Sequence, residues 1–349
     1  MSEPKQPLYY ADYLQLDRLL SAQAPESVRR GRPAHDEMLF IVVHQAYELW
    51  FKQILHELAR IDAIFAEEGL DDRDIGRAVA GLERIERIVK LLIGQLDVLE
   101  TMTPLDFLEF RDLLFPSSGF QSLQFRLIET GLGLRRGDRV GFAARPFDAR
   151  LSAADRAALK QRGVRAWFVL DEGIQESYRA AVTDMLMGEV ATLQANPQIS
   201  AEEKRAGLAG LEAAGGRFEA IYDERRYVEL EGQGAWRLSW RALQAALFIT
   251  LYRDEPVLQL PFRLLSLLMD IDETMAAWRY RHALMAQRMI GLKLGTGGSS
   301  GHDYLAEAAR RYRVFADLFA LATFLIPRSA LPPLPEPLRS AMGYRYTAG

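Results

Sequence analysis

From Glu37 to Glu67 the chain contains neither glycine nor proline, and its apolar residues recur at helical spacing. A run of that length is a helix rather than a strand, and it constrains the architecture more than any other feature. Asp36 stands just before it, at the N-cap position. A second helical run covers about Asp74 to Glu100. Thr103-Pro104-Leu105-Asp106 is a third start signal: Thr as N-cap, Pro in the first turn, and an acid where the helix dipole favours it. This helix should stop by Pro116, with a turn at Ser117-Ser118-Gly119 and helix again from Phe120 to Thr130.

Gly131 to Arg150 is rich in Gly and Arg and reads as an irregular connection, after which Ser152 begins another helix. Helical stretches between about Trp167 and Asp223 break near Asn196-Pro197 and are dense in charge, as expected of scaffold. Leu238 to Tyr252 and Pro261 to Met269 are apolar and read as core. Asp270 then caps a helix that runs to Met289 or Ile290. The Gly-dense loop Gly295–Gly301 follows, then a last helix from about Asp303 to Leu325 and a Pro-rich tail around Pro332 to Pro337. With no repeat and no strand alternation, the expectation is all-α: one helical bundle over 1–349, with an accessory helical segment at about 137–225.

Composition narrows the chemistry. The chain has 349 residues, 49% hydrophobic and 26% charged, with a net charge of -4 and no long basic run. Nucleic acid and anionic membranes are therefore not expected as partners. The N-terminus is polar, and the apolar stretch Val314 to Pro327 contains Asp317 and is too short to span a bilayer, so a soluble, cytoplasmic protein is expected. The absence of cysteine removes disulfides, zinc–thiolate sites, iron–sulfur clusters and thiolate-ligated haem. Nitrogen ligands must come from His35, His44, His56, His282 and His302.

His44 and His56 lie roughly 120° apart around a helix axis and share no face. His56-Glu57 begins like a zinc-protease motif, but position 60 is Arg, so a zinc site is disfavoured. His282 shares a helical face with Met275, Trp278, Met285 and Met289. A haem needs such a face around its axial imidazole, and a buried core histidine satisfied by a hydrogen bond needs the same face. His44 belongs to a stripe with Phe40, Tyr47 and Phe51, which suits either an amphipathic helix or a pocket for a flat aromatic ligand. Arg111, one turn after Phe107, can clamp a carboxylate or pair with Asp112 or Glu109. The Gly295–Gly301 loop lacks the strand and the Lys-Ser/Thr of a phosphate loop; it can close over a small polar ligand or simply connect.

Several longer motifs stand in a fixed order. They are Tyr10-Ala11-Asp12-Tyr13-Leu14, His35-Asp36-Glu37, Leu39-Phe40-Ile41, and His44-Gln45-Ala46-Tyr47-Glu48-Leu49-Trp50-Phe51-Lys52. Leu99-Glu100-Thr101-Met102-Thr103, Phe110-Arg111, Ser118-Gly119-Phe120-Gln121-Ser122-Leu123-Gln124 and Trp278-Arg279-Tyr280-Arg281-His282 follow. By these motifs the chain resembles the tryptophan 2,3-dioxygenase family over most of its length, least so at 137–225. The resemblance implies haem b, ferrous when active, with His282 as its proximal iron ligand and Trp278 and Ser118 beside it. It implies that His44 hydrogen-bonds the indole N–H of L-tryptophan, that Phe40 and Phe107 pack on the indole, and that Arg111 holds the carboxylate. Thr296 would help hold the ammonium and carboxylate. Residues 1–35 would contact a neighbouring subunit of a homotetramer, a dimer of dimers, with Tyr10, Tyr13 and Leu14 completing the partner's pocket. The implied reaction inserts O2 across indole C2–C3 to give N-formyl-L-kynurenine, the first step of tryptophan catabolism. The alternatives are a relative acting on a substituted tryptophan or other indole, and a non-catalytic haem or tryptophan sensor.

Overall fold

The structure is a computed structural model that describes residues 7–66, 71–134, 139, 175–291, 293 and 301–342. Three short helices, α1 (Tyr10–Leu14), α2 (Leu16–Leu20) and α3 (Glu26–Arg29), precede two long ones, α4 (Glu37–Ile64) and α5 (Asp72–Leu99). Then come α6 (Pro104–Arg111), the 3-10 turns Asp112–Leu114 and Gly119–Gln121, and α7 (Leu123–Leu132). The second half carries α8 (Gln175–Ala195), α9 (Ala201–Ala220), α10 (Glu224–Gly232), α11 (Trp240–Leu251) and the long α12 (Gln259–Ile290). α13 (Gly301–Arg311), α14 (Ala316–Ala320) and α15 (Glu336–Met342) close the described chain. Every regular element among the described residues is helical, as the periodicity requires. None of these helices is long and apolar enough to cross a membrane.

Local chemistry explains the boundaries. Asp71 and Asp74 form a reciprocal capping box, so α5 starts two residues before the apolar pattern does. Thr103 and Asp106 form the box expected at α6. Ser122 accepts from the Phe125 N–H to start α7, and Gly133 ends it in the left-handed conformation that a glycine tolerates. Asp36 occupies the cap position of α4 but makes no side-chain cap bond. The buried Glu37 carboxylate instead accepts from the backbone N–H of Glu26 and Ser27, at 2.8 and 2.9 Å, and ties α3 to the start of α4.

Two sequence expectations need correction. Asp270 does not start a helix: α12 runs through it from Gln259, and Pro261 sits in the first turn, where its missing N–H has no intrahelical partner to lose. The last helix is not continuous either. Arg279 donates to the Tyr312 carbonyl, and Asp272 accepts from the Val314 N–H at 2.9 Å and from Arg313. These α12 side chains capture the chain between α13 and α14 and interrupt it there. The expected connection Gly131–Arg150 and the helix from Ser152 lie largely outside the described residues, as does most of the Gly295–Gly301 loop. The expected break at Asn196-Pro197 separates α8 from α9.

α5 packs along both α4 and α12; α7 lies against α4, and α13 against α12. Ile54, Leu58 and Ile61 of α4, Leu82, Ile85, Val89 and Leu92 of α5, and Leu264, Leu268 and Ile271 of α12 are buried in one continuous core. Each set repeats at one-turn spacing, which puts it on a single face. Close approach of α4 and α5 depends on Gly81, because a Cβ there would stand 3.1 Å from the Ile61 Cδ1. Tyr178, Val182, Phe218 and Ile221 of the middle segment join the same core.

Candidate active site

The cavity has a volume of about 270 Å³ and lies between faces of α4 and α12. Phe40, Val43, His44, Tyr47, Glu48 and Phe51 form its α4 wall, spaced by three or four residues as one helix face must be. Trp278, His282, Met285 and Met289 form the α12 wall. Phe107 and Arg111 from α6, the Ser118–Phe120 turn and Phe125 of α7 add to the lining, as do Leu96 and Leu99 of α5 and Leu305 and Ala308 of α13. The floor is mostly aromatic and aliphatic, and the few polar groups stand out against it.

His44 is fixed in one tautomer. Its Nδ1 lies 2.7 Å from the Phe40 carbonyl oxygen. That oxygen only accepts, so Nδ1 carries the proton and Nε2 keeps its lone pair. The Phe40 ring lies tilted against the imidazole, with centroids 4.1 Å apart and planes at 34°. His44 stays accessible from the cavity, yet the atoms packed around it desolvate the ring and lower its pKa, offset in part by the Phe40 carbonyl and the Glu48 carboxylate. The ring is therefore neutral at pH 7, with an acceptor nitrogen and no donor to offer the cavity.

His282 lines the α12 wall. Burial, reinforced by the second imidazole at His44, pushes its pKa down to about 4, so it too is neutral. Its Nδ1 is buried with no hydrogen-bond partner among the described residues. The ring stacks on Trp278, with centroids 5.2 Å apart and planes at 26°. Trp278 also meets Phe125 at 5.0 Å.

At the α6 side, Phe40 stacks on Phe107 at 5.7 Å, and Phe110 meets both edge-on. The Arg111 side chain is largely buried, and its contact with the exposed Asp112 carboxylate is long, at 3.9 Å. The guanidinium is part of the cavity lining. Ser118 caps the turn over the cavity, its hydroxyl accepting from the Phe120 N–H while Gln121 Oε1 accepts from its own N–H. Gln124 latches this turn to α4 by donating to both the carbonyl and the carboxylate of Glu48, each at 2.8 Å.

The cavity thus brings together Phe40, His44, Phe107, Arg111, Ser118, Trp278 and His282. Tyr10, Tyr13 and Leu14 do not line it; they stand exposed on α1. Thr296 lies outside the described residues. Sequence reasoning missed Glu129, which is buried at the cavity edge beside Arg126 at 3.0 Å, Arg139 at 2.5 Å and Arg279 at 3.1 Å. Burial alone would raise its pKa, but the three arginines outweigh this and hold it down to about 2. Arg279 belongs to the Trp278–His282 motif, yet nothing local pairs it with an acid 150 residues away.

These features define a class: an all-helical protein whose apolar cavity is lined by one neutral imidazole from each of two long helices, with a guanidinium also in the lining. Comparison with known proteins narrows it. The family model described as tryptophan 2,3-dioxygenase matches residues 2–325. The tryptophan 2,3-dioxygenase of Bdellovibrio bacteriovorus is 50% identical, over 97% of this chain and 99% of its own length. Those of Alteromonas mediterranea and Dictyostelium discoideum are 44% and 42% identical, over 99% and 97% of this chain and 99% and 89% of their own lengths. The chain belongs to the tryptophan 2,3-dioxygenase family.

The Glu129 cluster makes a prediction about pH. A carboxylate with a folded pKa of about 2 against an ordinary value of 4.5 stabilises the fold fully above 4.5, and that contribution fades as pH falls toward 2. Glu129→Gln should lower stability by about 3–5 kcal/mol at neutral pH, because the arginines lose their shared counter-charge. Its denaturation midpoint should also fall less steeply than wild type below pH 4.5. Urea titrations of both proteins across that range check this; parallel acid limbs would refute it.

Proposed function

We propose that this chain is an oxidoreductase that opens the indole ring of L-tryptophan, inserting both atoms of O2 across C2–C3 to give N-formyl-L-kynurenine and beginning tryptophan catabolism. The observation that carries the proposal is that two neutral imidazoles, from α4 and α12, line one aromatic cavity together with Arg111. Side chains alone cannot activate O2, so a cofactor is required, and the residues fit haem b. His282 offers a neutral imidazole nitrogen from an apolar wall, and the chain has no cysteine to compete for iron. His282 would hold the iron, and Trp278 and Ser118 would help hold the group. Ferrous haem supplies the oxygen activation when bound.

The protein's own part is binding, orientation and exclusion of water. Arg111 pairs with the substrate carboxylate, Thr296 assists at the ammonium and carboxylate, and Phe40 and Phe107 pack on the indole. The Nε2 lone pair of His44 accepts the indole N–H. Full removal of that proton is badly matched to an imidazole with a pKa lowered by burial. Because indole C3 is nucleophilic without deprotonation, His44 is a positioning acceptor. Decarboxylated or indole-only substrates lose the Arg111 contact and should be handled poorly.

We further propose a cytoplasmic homotetramer, a dimer of dimers, in which residues 1–35 reach a neighbour. Tyr10 and Tyr13 are 74% and 70% exposed, which suits side chains that a second subunit covers.

Three measurements test this reading. A charged hydrogen bond contributes about 1.5–3 kcal/mol, so Arg111→Leu should lower kcat/KM for L-tryptophan at least roughly tenfold. Equal turnover of tryptamine and tryptophan by wild type would exclude Arg111 as the clamp. A positioning bond contributes on the order of 1 kcal/mol, whereas a general base contributes about 10²–10⁴ in rate. His44→Ser should therefore keep its haem and lose activity nearer tenfold; a fall beyond about 10³ in kcat with full haem would make His44 a base. Deleting residues 1–14 should lower turnover with haem still bound, and a fully active monomer would contradict the assembly.

A further inference from the structure

Tyr47 is a buried phenol that the reaction does not use, and its hydroxyl is engaged on both sides. It donates to the backbone carbonyl of Leu92 in α5 at 2.5 Å and accepts from Trp278 Nε1 in α12 at 3.2 Å. Burial pushes its pKa up to about 12, although the Trp278 N–H works against this, so the hydroxyl keeps its proton across the physiological range. The donor role is therefore committed to Leu92, and the hydroxyl can meet Trp278 only as an acceptor.

That bond fixes the rotation of the Trp278 indole. The indole carries a single polar atom, Nε1, and in a buried apolar setting that N–H needs its partner. Phe125 packs on the indole from a second side. The indole plane then stacks on His282 at 26°, so it limits how the imidazole can turn about its Cβ–Cγ bond. The chain of contacts runs from Leu92 through Tyr47 and Trp278 to His282.

We infer that Tyr47 is a positioning residue that sets the orientation of the His282 imidazole through Trp278, and so tunes the bond from His282 to a cofactor iron. The inference rests on the haem reading above. Axial-ligand orientation is one of the levers by which a protein adjusts a haem, and groups behind the ligand supply it. Tyr47 lines the cavity, and its hydroxyl is committed to Leu92 and Trp278. It acts on the ligand's geometry and leaves affinity for tryptophan to Arg111, Phe40 and Phe107.

The test uses full-length Tyr47→Phe, which deletes only the hydroxyl, and Trp278→Phe, which keeps an aromatic face but deletes the N–H. Both are purified with haem, and the iron–histidine stretching band of the ferrous proteins is read by resonance Raman. Tyr47→Phe should retain haem, shift or broaden that band, and lower kcat roughly threefold to tenfold with KM for tryptophan little changed. Trp278→Phe should move the band in the same direction, and the double variant should add nothing further, because both substitutions break one bond. A purely structural role for Tyr47 would lower the melting temperature and leave the band in place, and that result would overturn the inference. An unmoved band in Trp278→Phe would overturn it as well, and remains readable should Tyr47→Phe fold poorly. A wild-type protein with no iron–histidine band would instead remove the haem reading itself.

Discussion

The long helices α4 and α12 are each packed along α5 rather than along each other. The cavity is the space this leaves, and α5 sets its width. His44 and His282 line one cavity because one face of α4 and one face of α12 both border it. Tyr47 closes the arrangement at side-chain level, touching α5 through Leu92 and α12 through Trp278. At Gly81 the two helices pack closely, and a Cβ there would press on the Ile61 side chain of α4.

Around this frame, buried carboxylates fix the segments that helical packing alone would leave loose. Glu37 gathers the backbone of α3. Asp272 takes the Val314 N–H, and Asp317 takes the N–H groups of Arg237 and Leu238 at 2.6 and 2.7 Å. Glu129 gathers three arginines behind the cavity. Each charge is costly to bury, and each is satisfied by several donors, so its effect is to select one placement of a distant segment. Removing one partner is much more damaging than never having had the pair.

Much of the fold was legible in the sequence because helices announce themselves locally. The capping signals at Thr103 and the unbroken run after Glu37 lie within a few residues of what they control. The failures were long-range. Asp270 looks like a cap, but the packing of α12 on α5 carries the helix through it. The stretch after Asp303 has helical composition, yet Asp272 and Arg279, more than thirty residues earlier in the chain, break it. The site divides in the same way. His44, Arg111 and His282 could be picked out by residue type and motif, although residue type alone left each open to a structural reading. Glu129, the Gln124 latch and the double role of Tyr47 depend on partners far away in the chain, and no local pattern encodes them.

The central claim is that His282 offers a neutral nitrogen to a haem iron from the α12 wall. The most direct measurement is haem stoichiometry and the Soret spectrum of purified wild type and His282→Ala, with far-UV circular dichroism on the same samples. Wild type should carry haem in proportion to chain. His282→Ala should keep its helical spectrum and lose most of its haem or its ferrous five-coordinate signature. Full haem loading with an unchanged ferrous spectrum in His282→Ala would contradict the account.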